Sequence, residues 1–194
     1  MPLVLLVLAC GLPAVAAWVF YLNPDLLPKS RANFGKLIEP PYPLRHMRFL
    51  TVAGKGVRFE DAQGKWSLLW LTSQPCGGGC GVYLHRMRNI RLALRETGVR
   101  LQSFAIPLTG SSTDARIKKE TEFHNTILLT GSENELRDLA TQFATAAGVS
   151  TSQIDGFYLV DPLGNLMMRY DTNADFKGML KDLERLLKYS WVGR

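Results

Sequence analysis

Seven consecutive residues, WSLLWLT at positions 66–72, carry no charge and run straight into the turn-forming string SQPCGGGC. A strand with one wet face alternates apolar and polar residues. An unbroken apolar run bounded by turn residues fits a strand buried on both faces. This stretch therefore predicts a central strand, and the chain around it must supply the cover.

The flanking sequence supplies the elements. FLTV and VRFE, around residues 49–60, are short candidate strands separated by a glycine turn. Tyr83, Leu84, Met87, Arg91 and Leu94 recur at helical spacing and predict a helix from about Cys80 to Thr97 that Gly98 stops. VRLQSFAIPL (99–108) and TILLT (126–130) read as strands around a short polar helix, ARIKKETEFHN. Ser132 and Glu135 form a capping box for a helix through Ala147, closed by Gly148. FYLVDP and Asn165–Tyr170 are strands joined by the hairpin signal Pro162-Leu163-Gly164-Asn165. A final amphipathic helix over 174–189 places Phe176, Leu180, Leu183 and Leu187 on one stripe. Parallel crossovers followed by a closing hairpin and helix describe an α/β, thioredoxin-like domain, expected over residues 45–194.

The N-terminus sets a second constraint. Pro2 to Leu22 contain no charge, and about 20 apolar residues suffice to span a bilayer as a helix. Gly11 and Pro13 interrupt the run, which membrane helices tolerate. Trp18 and Tyr21 sit at one end, where amphipathic rings prefer the interface. A cleaved signal peptide would show a basic leader and a shorter core. VLAC, ending at Cys10, faintly resembles a lipoprotein box, but the apolar run continues past it. The expectation is a single transmembrane anchor over residues 1–22. Residues 23–44 hold Pro24, Pro28, Pro40, Pro41 and Pro43 and read as a Pro-rich tether. The net charge is +6, but basic and aromatic residues do not interleave on a platform, so no nucleic acid is expected.

Cys76 and Cys80 enclose three glycines between the buried strand and a helix start. The first turn of a helix exposes unpaired N–H groups and partial positive charge, which stabilise a thiolate. Three glycines let the backbone bend so that both sulfurs face one space. Such a pair can hold Cu(I), form a disulfide, or alternate between the two. A purely structural disulfide is the plain alternative, although so short a loop removes little chain entropy. Cys10, in the apolar run, reads as a small apolar residue.

GKWSLLWLTSQPCGGGC, TILLTGSENELRDLATQF and FYLVDPLGNLMMRY together resemble the Sco/SenC family of thioredoxin-like proteins over residues 45–189. That resemblance implies a membrane-anchored factor that helps copper reach the CuA site of cytochrome c oxidase. It also implies copper binding by Cys76 and Cys80, which match the family's CxxxC cysteines in position and spacing. The family's third ligand is a histidine, and its equivalent position is Gln153, in SQIDGF. The family's proline after the second cysteine is Gly81 here. The third ligand is therefore unassigned. His46, His85 and His124 are candidates, as are Met87, Met167 and Met168, but packing or surface roles are commoner for these residue types.

Lys29, Arg31 and Lys36 follow the apolar run, and the positive-inside rule would place the domain in the cytoplasm. The resemblance implies the opposite side, and a reactive cysteine pair suits an oxidising compartment. The expectation is a bacterial inner-membrane, single-pass protein whose domain faces the periplasm, held in the membrane by residues 2–22. Its expected role is cytochrome c oxidase assembly, handling Cu(I), thiol redox, or both through Cys76 and Cys80. The implied partner is an oxidase subunit or another copper-assembly protein. A periplasmic thiol–disulfide oxidoreductase and a thioredoxin-like scaffold without metal are the alternatives.

Overall fold

The computed structural model describes residues 2–23, 26, 33–44, 49–51, 54–58, 64–74, 79–109, 115–123 and 125–190, with the side chains of 2–8, 115, 116, 120 and 123 excepted. The chain divides into two compact units, Met1–Ala32 and Asn33–Arg194.

In the first unit, helix α1 covers Pro2–Leu22 with Pro13 inside it. At about 1.5 Å per residue, its 21 residues extend roughly 31 Å. Asn23 closes the helix by donating both its backbone N–H and its side-chain amide to the Val19 carbonyl, at 3.0 and 3.1 Å. Trp18 and Tyr21 stand exposed. Among the described residues, no helix is long and apolar enough to cross a membrane. The described side chains of α1 begin only at Ala9.

The second unit is a sheet covered on both faces. Its strands are β1 (Lys36–Pro43), β2 (Phe49–Thr51), β3 (Gly56–Val57), β4 (Trp66–Thr72), β5 (Leu101–Pro107), β6 (Ile127–Thr130), β7 (Gly156–Val160) and β8 (Asn165–Asp171), in the order β1-β8-β7-β4-β5-β6-β2-β3. Its helices are α2 (Cys80–Ala93), α3 (Ala115–Phe123), α4 (Glu133–Ala147) and α5 (Phe176–Tyr189). β4 pairs parallel with β5, Trp66 opposite Leu101, and antiparallel with β7, Leu68 opposite Leu159. Every residue of β4 is buried. Trp66, Leu68 and Trp70 pack with Leu84, Met87 and Leu183, while Leu69 and Leu71 pack with Leu136 and Phe143. The expected two-sided burial of WSLLWLT is what the structure contains.

The capping box forms as its sequence predicts. Ser132 accepts from the Glu135 N–H, and Glu135 Oε2 accepts from the Ser132 N–H at 2.7 Å and its hydroxyl at 2.8 Å. These bonds hold the Glu135 carboxyl below the usual carboxylate range. Gly148 ends the helix at φ 63, with its own N–H and that of Val149 returning to the Thr145 and Ala144 carbonyls.

Two expectations are corrected. Lys36–Pro43, read as part of the tether, is the edge strand β1, with Leu37 opposite Met168 and Tyr42 opposite Leu166. Its prolines sit at an edge, where missing N–H donors and a broken ladder are tolerated. The helix after the cysteine turn ends at Ala93, not Thr97, and Arg95–Arg100 form a 3₁₀ segment. Arg95 adopts φ 50, which stops the α-helix. The chain then doubles back so tightly that a side chain on Gly98 would collide with the Arg91 carbonyl. Arg100 completes this return by donating to the Leu187 carbonyl at 2.6 Å, at the end of α5.

Asp182 on α5 is a buried knot, only 2% exposed. Its Oδ2 accepts from the Phe34 and Gly35 N–H groups, both at 2.9 Å, and from the Tyr170 hydroxyl at 3.1 Å. It thereby ties the residues leading into β1 to β8 and α5. Burial, and next the Asp182 charge, push the Tyr170 hydroxyl far above its ordinary pKa. A raised folded pKa means that stability is intact below the unfolded value of about 10 and falls as pH rises beyond it. Denaturant melts should therefore show a steep loss of stability above about pH 10, and Tyr170→Phe should flatten that loss. At neutral pH Asp182→Ala should cost about 2–4 kcal/mol, because three donors lose their acceptor. Tyr170→Phe should cost only about 1 kcal/mol.

Candidate functional site

The C-terminal end of β4 delivers the chain to the cysteine turn. Thr72 Oγ1 accepts from the Gln74 N–H at 3.2 Å, and the Ser73 N–H donates to Asp155 Oδ1 at 2.8 Å. Asp155 immediately precedes β7, so the segment leaving β4 and the segment opening β7 are pinned together at one end of the sheet. The start of β7 also needs a glycine. A side chain on Gly156 would overlap the Tyr170 carbonyl on β8, and its φ of 155 strains any other residue.

Cys80 is the first residue of α2, 6% exposed, and it is disulfide-bonded. Cys10 is free and exposed. Cys76 lies outside the described residues. Gly79 caps α2 without a side-chain hydrogen bond, and no acidic residue occupies the first turn. Among the described residues, no acidic side chain or side-chain cap in that turn competes with a thiolate for its N–H groups and positive end.

Cys80 opens onto a cleft of about 860 Å³. One wall is aromatic: Trp70 stacks on Tyr83 with centroids 5.5 Å apart, and Phe157 lies beside Tyr83 at 6.0 Å. The Arg86 guanidinium stands over the Tyr83 ring, 5.9 Å from its centroid. The opposite wall is polar and includes Gln153, Asp155, Arg169 and Asp171. Arg169, 6% exposed, donates through Nη2 to the Gln153 carbonyl at 2.7 Å and pairs with Asp171 Oδ1 at 2.9 Å. Asp171 Oδ2 also meets the Lys36 ammonium at 3.4 Å. Behind this wall the Tyr158 hydroxyl donates to the Ile154 carbonyl at 2.7 Å. Burial pushes that hydroxyl's pKa up, against a smaller opposing pull from Arg169.

The structure thus brings Gln153 and Cys80 to one cleft. Gln153 sits in a 3₁₀ turn, Thr151–Gln153, and its Oε1 accepts from the Ser150 hydroxyl at 3.3 Å. The other candidate ligands go elsewhere. His85 is exposed on α2, five positions past Cys80 and so about 140° round the helix. Met87 and Met168 are core residues, and Met167 lines a separate groove beside Trp66. His46 and His124 lie outside the described residues. Among the described residues, no group of three or more His, Cys, Asp or Glu side chains is placed to hold a metal. Asp155 and Arg169 were not singled out from the sequence. Arg169 had a signal: it is the one charge inside the apolar run of β8, LMMRY.

These positions carry unequal weight. Arg169→Met should cost about 3–5 kcal/mol in chemical denaturation, because Asp171 and the Gln153 carbonyl lose a buried cation. Lys36→Ala, whose side chain is 70% exposed, should stay within about 1 kcal/mol of the parent.

Comparison with known proteins agrees with this geometry. Residues 66–190 match the family described as "Transmembrane-like, thioredoxin-like, C-terminal domain". Among curated proteins, none matches the chain. The fold is similar to that of yeast Sco1 with copper bound, at 20% identity and TM-score 0.59, covering 77% of this chain and 92% of that one. It is similar to apo Sco1 from Thermus thermophilus, at 17% identity and TM-score 0.62, covering 82% of this chain and 99% of that one. The thioredoxin domain of a thiol-disulfide oxidoreductase from Bacteroides vulgatus has 15% identity and TM-score 0.52, covering 72% of this chain and 91% of that one. With nearly two thirds of its length matched, the chain belongs to the transmembrane-like, thioredoxin-like C-terminal domain family, and its fold is that of the Sco proteins.

Proposed function

We propose that this protein is a membrane-anchored assembly factor for cytochrome c oxidase whose Cys76 and Cys80 work as a thiol–disulfide pair. One observation carries the choice of chemistry. Cys80 is disulfide-bonded at the start of α2, on a cleft whose opposite wall offers amide, carboxylate and guanidinium groups and, among the described residues, no soft third ligand. In the reduced state, one thiolate attacks a partner disulfide and expels a partner thiolate, giving a mixed disulfide. The second thiolate of the pair then displaces the other partner sulfur. The partner leaves as a dithiol, two electrons richer, and the pair is left as its disulfide. An external dithiol must reduce it for another turn.

A second reading treats Cu(I) as cargo held linearly between the two thiolates. Its support is the fold shared with copper-bound Sco structures. Gln153 is a poor donor for soft Cu(I). The partner, under either reading, is an oxidase subunit or another copper-assembly protein. The anchoring reading is supported by the sequence alone: residues 2–22 carry no charge, and about 20 apolar residues suffice to span a bilayer. The reading places the protein in a bacterial inner membrane, with the domain in the periplasm, where disulfides persist. A reporter fused after residue 194 should then be active in the periplasm, and activity only in the cytoplasm refutes that placement.

The redox reading is tested by equilibrating the full chain, in non-ionic detergent, with graded dithiol/disulfide buffers. A single two-electron transition is expected, abolished by Cys76→Ser and by Cys80→Ser. A pair that stays oxidised under strongly reducing buffer would behave as a structural staple and contradict the proposal.

A further inference from the structure

The end of the sheet away from Cys80 holds two buried polar atoms that the fold leaves unpaired. Among the described residues, Trp66 Nε1 and Asp182 Oδ1 are buried and have no hydrogen-bond partner. Their residues are only 4% and 2% exposed. Asp182 commits its other oxygen, Oδ2, to the Phe34 and Gly35 N–H groups and the Tyr170 hydroxyl. Three donors therefore gather on one side of the carboxylate, and none of them serves the other. A buried donor or acceptor without a partner is destabilising, and a native fold that keeps one calls for a reason.

Both residues line one groove of about 470 Å³. Pockets that take small molecules run from about 300 to 1,000 Å³. Much of the remaining wall is apolar: Met167 on β8, Leu186 and Tyr189 on α5, and Pro162 in the β7–β8 hairpin. Tyr189 is 65% exposed, so this rim of the groove meets solvent. Asp161 lines the groove too, but the hairpin turn occupies its carboxylate. Its Oδ1 accepts from the Leu163 and Asn165 N–H groups at 2.9 and 2.7 Å, and its Oδ2 from the Asn165 side-chain amide at 2.8 Å. The groove is separate from the Cys80 cleft, which is lined by Thr72. Trp66 and Thr72 are the two ends of β4, roughly 20 Å apart at about 3.3 Å per residue.

We propose that this groove binds a small neutral molecule of the phenol class, with an aromatic body and a hydroxyl group. The two unpaired atoms set the polar part. Trp66 Nε1 only donates and a carboxylate only accepts, yet the two do not bond to each other. An anionic ligand would pair with Trp66 but be repelled by Asp182. An ammonium would pair with Asp182 but offer nothing to Trp66. A hydroxyl both accepts and donates. The walls set the rest, because the Trp66 and Tyr189 rings and the Met167 thioether favour contact with an aromatic ring. Nothing in this site depends on the thiol chemistry of Cys80.

The test follows the indole N–H signals of the full chain, in non-ionic detergent, by nuclear magnetic resonance. The Trp66 signal is assigned by its loss in Trp66→Phe, or by elimination through Phe variants of the other tryptophans. Three probes are titrated at matched free concentrations. 4-Fluorophenol accepts and donates, 4-fluoroanisole only accepts, and 4-fluorobenzylammonium only donates. 4-Fluorophenol should move the Trp66 signal downfield and saturate at roughly millimolar concentration. The other two should bind at least about tenfold more weakly, since each leaves one buried atom unpaired. Met167→Trp adds bulk to the groove, leaves both polar atoms in place and should abolish the response; Leu186→Trp serves instead if circular dichroism shows that chain unfolded. Equal affinities for the three probes would make the groove merely greasy and overturn the proposal. A response that survives the filled groove would overturn it as well, as would no saturable response to 4-fluorophenol. A long-lived water on the Trp66 N–H that 4-fluorophenol does not displace would show a water site only and have the same consequence. The series is run with the cysteine pair oxidised and again reduced. The same response in both states is expected, whereas a response in one state alone would place the probe at the Cys80 cleft and refute the site.

Discussion

Burial of β4 on both faces is the constraint on which the rest depends. Every residue from Trp66 to Thr72 is buried, so the strand is stable only with helices packed above and below it. Full burial of each large apolar side chain contributes about 1.5–3 kcal/mol, and both apolar clusters draw on this strand. Fixing β4 fixes where the chain emerges at Thr72. The cysteine turn, the start of α2 and the pinning bond from Ser73 to Asp155 follow from that exit point. The position of Cys80 is thus a consequence of core packing, because the packing sets the start of α2 against an open cleft.

The two walls of the cleft are built by different physics. Trp70 and Tyr83 form the aromatic wall, with Phe157 packed against Tyr83, as an outgrowth of the core beneath α2. The polar wall is an electrostatic lattice in which Arg169 joins the turn at Gln153 to Asp171 on β8. A buried guanidinium is tolerable only with partners on hand, and the turn carbonyl and Asp171 supply them. The amide that this wall presents at Gln153 is a poor donor for a soft cation. The chain shares its fold with Sco proteins, and on the cleft beside Cys80 that fold carries the amide of Gln153.

Much of this was legible in the sequence, for identifiable reasons. β4, α4 and the β7–β8 hairpin announce themselves through local signals: an unbroken apolar run, a capping box with a closing glycine, and a Pro-Leu-Gly-Asn turn. The position of Cys80 followed from the same strand–turn–helix logic. β1 was not legible, because its prolines read as tether and only its pairing with β8 makes it a strand. Partners 148 and 147 residues away, Asp182 with Phe34 and Gly35, leave no periodic trace in the chain. The end of α2 was misplaced because Arg95, a residue that seldom adopts positive φ, takes that conformation and stops the helix before Gly98. Arg169 was visible as an anomaly within β8, but its partners in the turn and on the same strand emerge only once the sheet is folded.

The central claim is that the Cys76–Cys80 pair performs thiol–disulfide work because the cleft lacks a third soft ligand at Gln153. It is tested most directly by titrating Cu(I) into the reduced full chain and into Gln153→His, each against a calibrated Cu(I) chelator. The account predicts weak, cysteine-dependent binding by the parent and binding at least about tenfold tighter by the variant, equivalent to about 1.4 kcal/mol. Tight one-to-one binding by the parent, unchanged in Gln153→His, would contradict it, because the protein would then hold copper by a ligand set that the cleft does not contain.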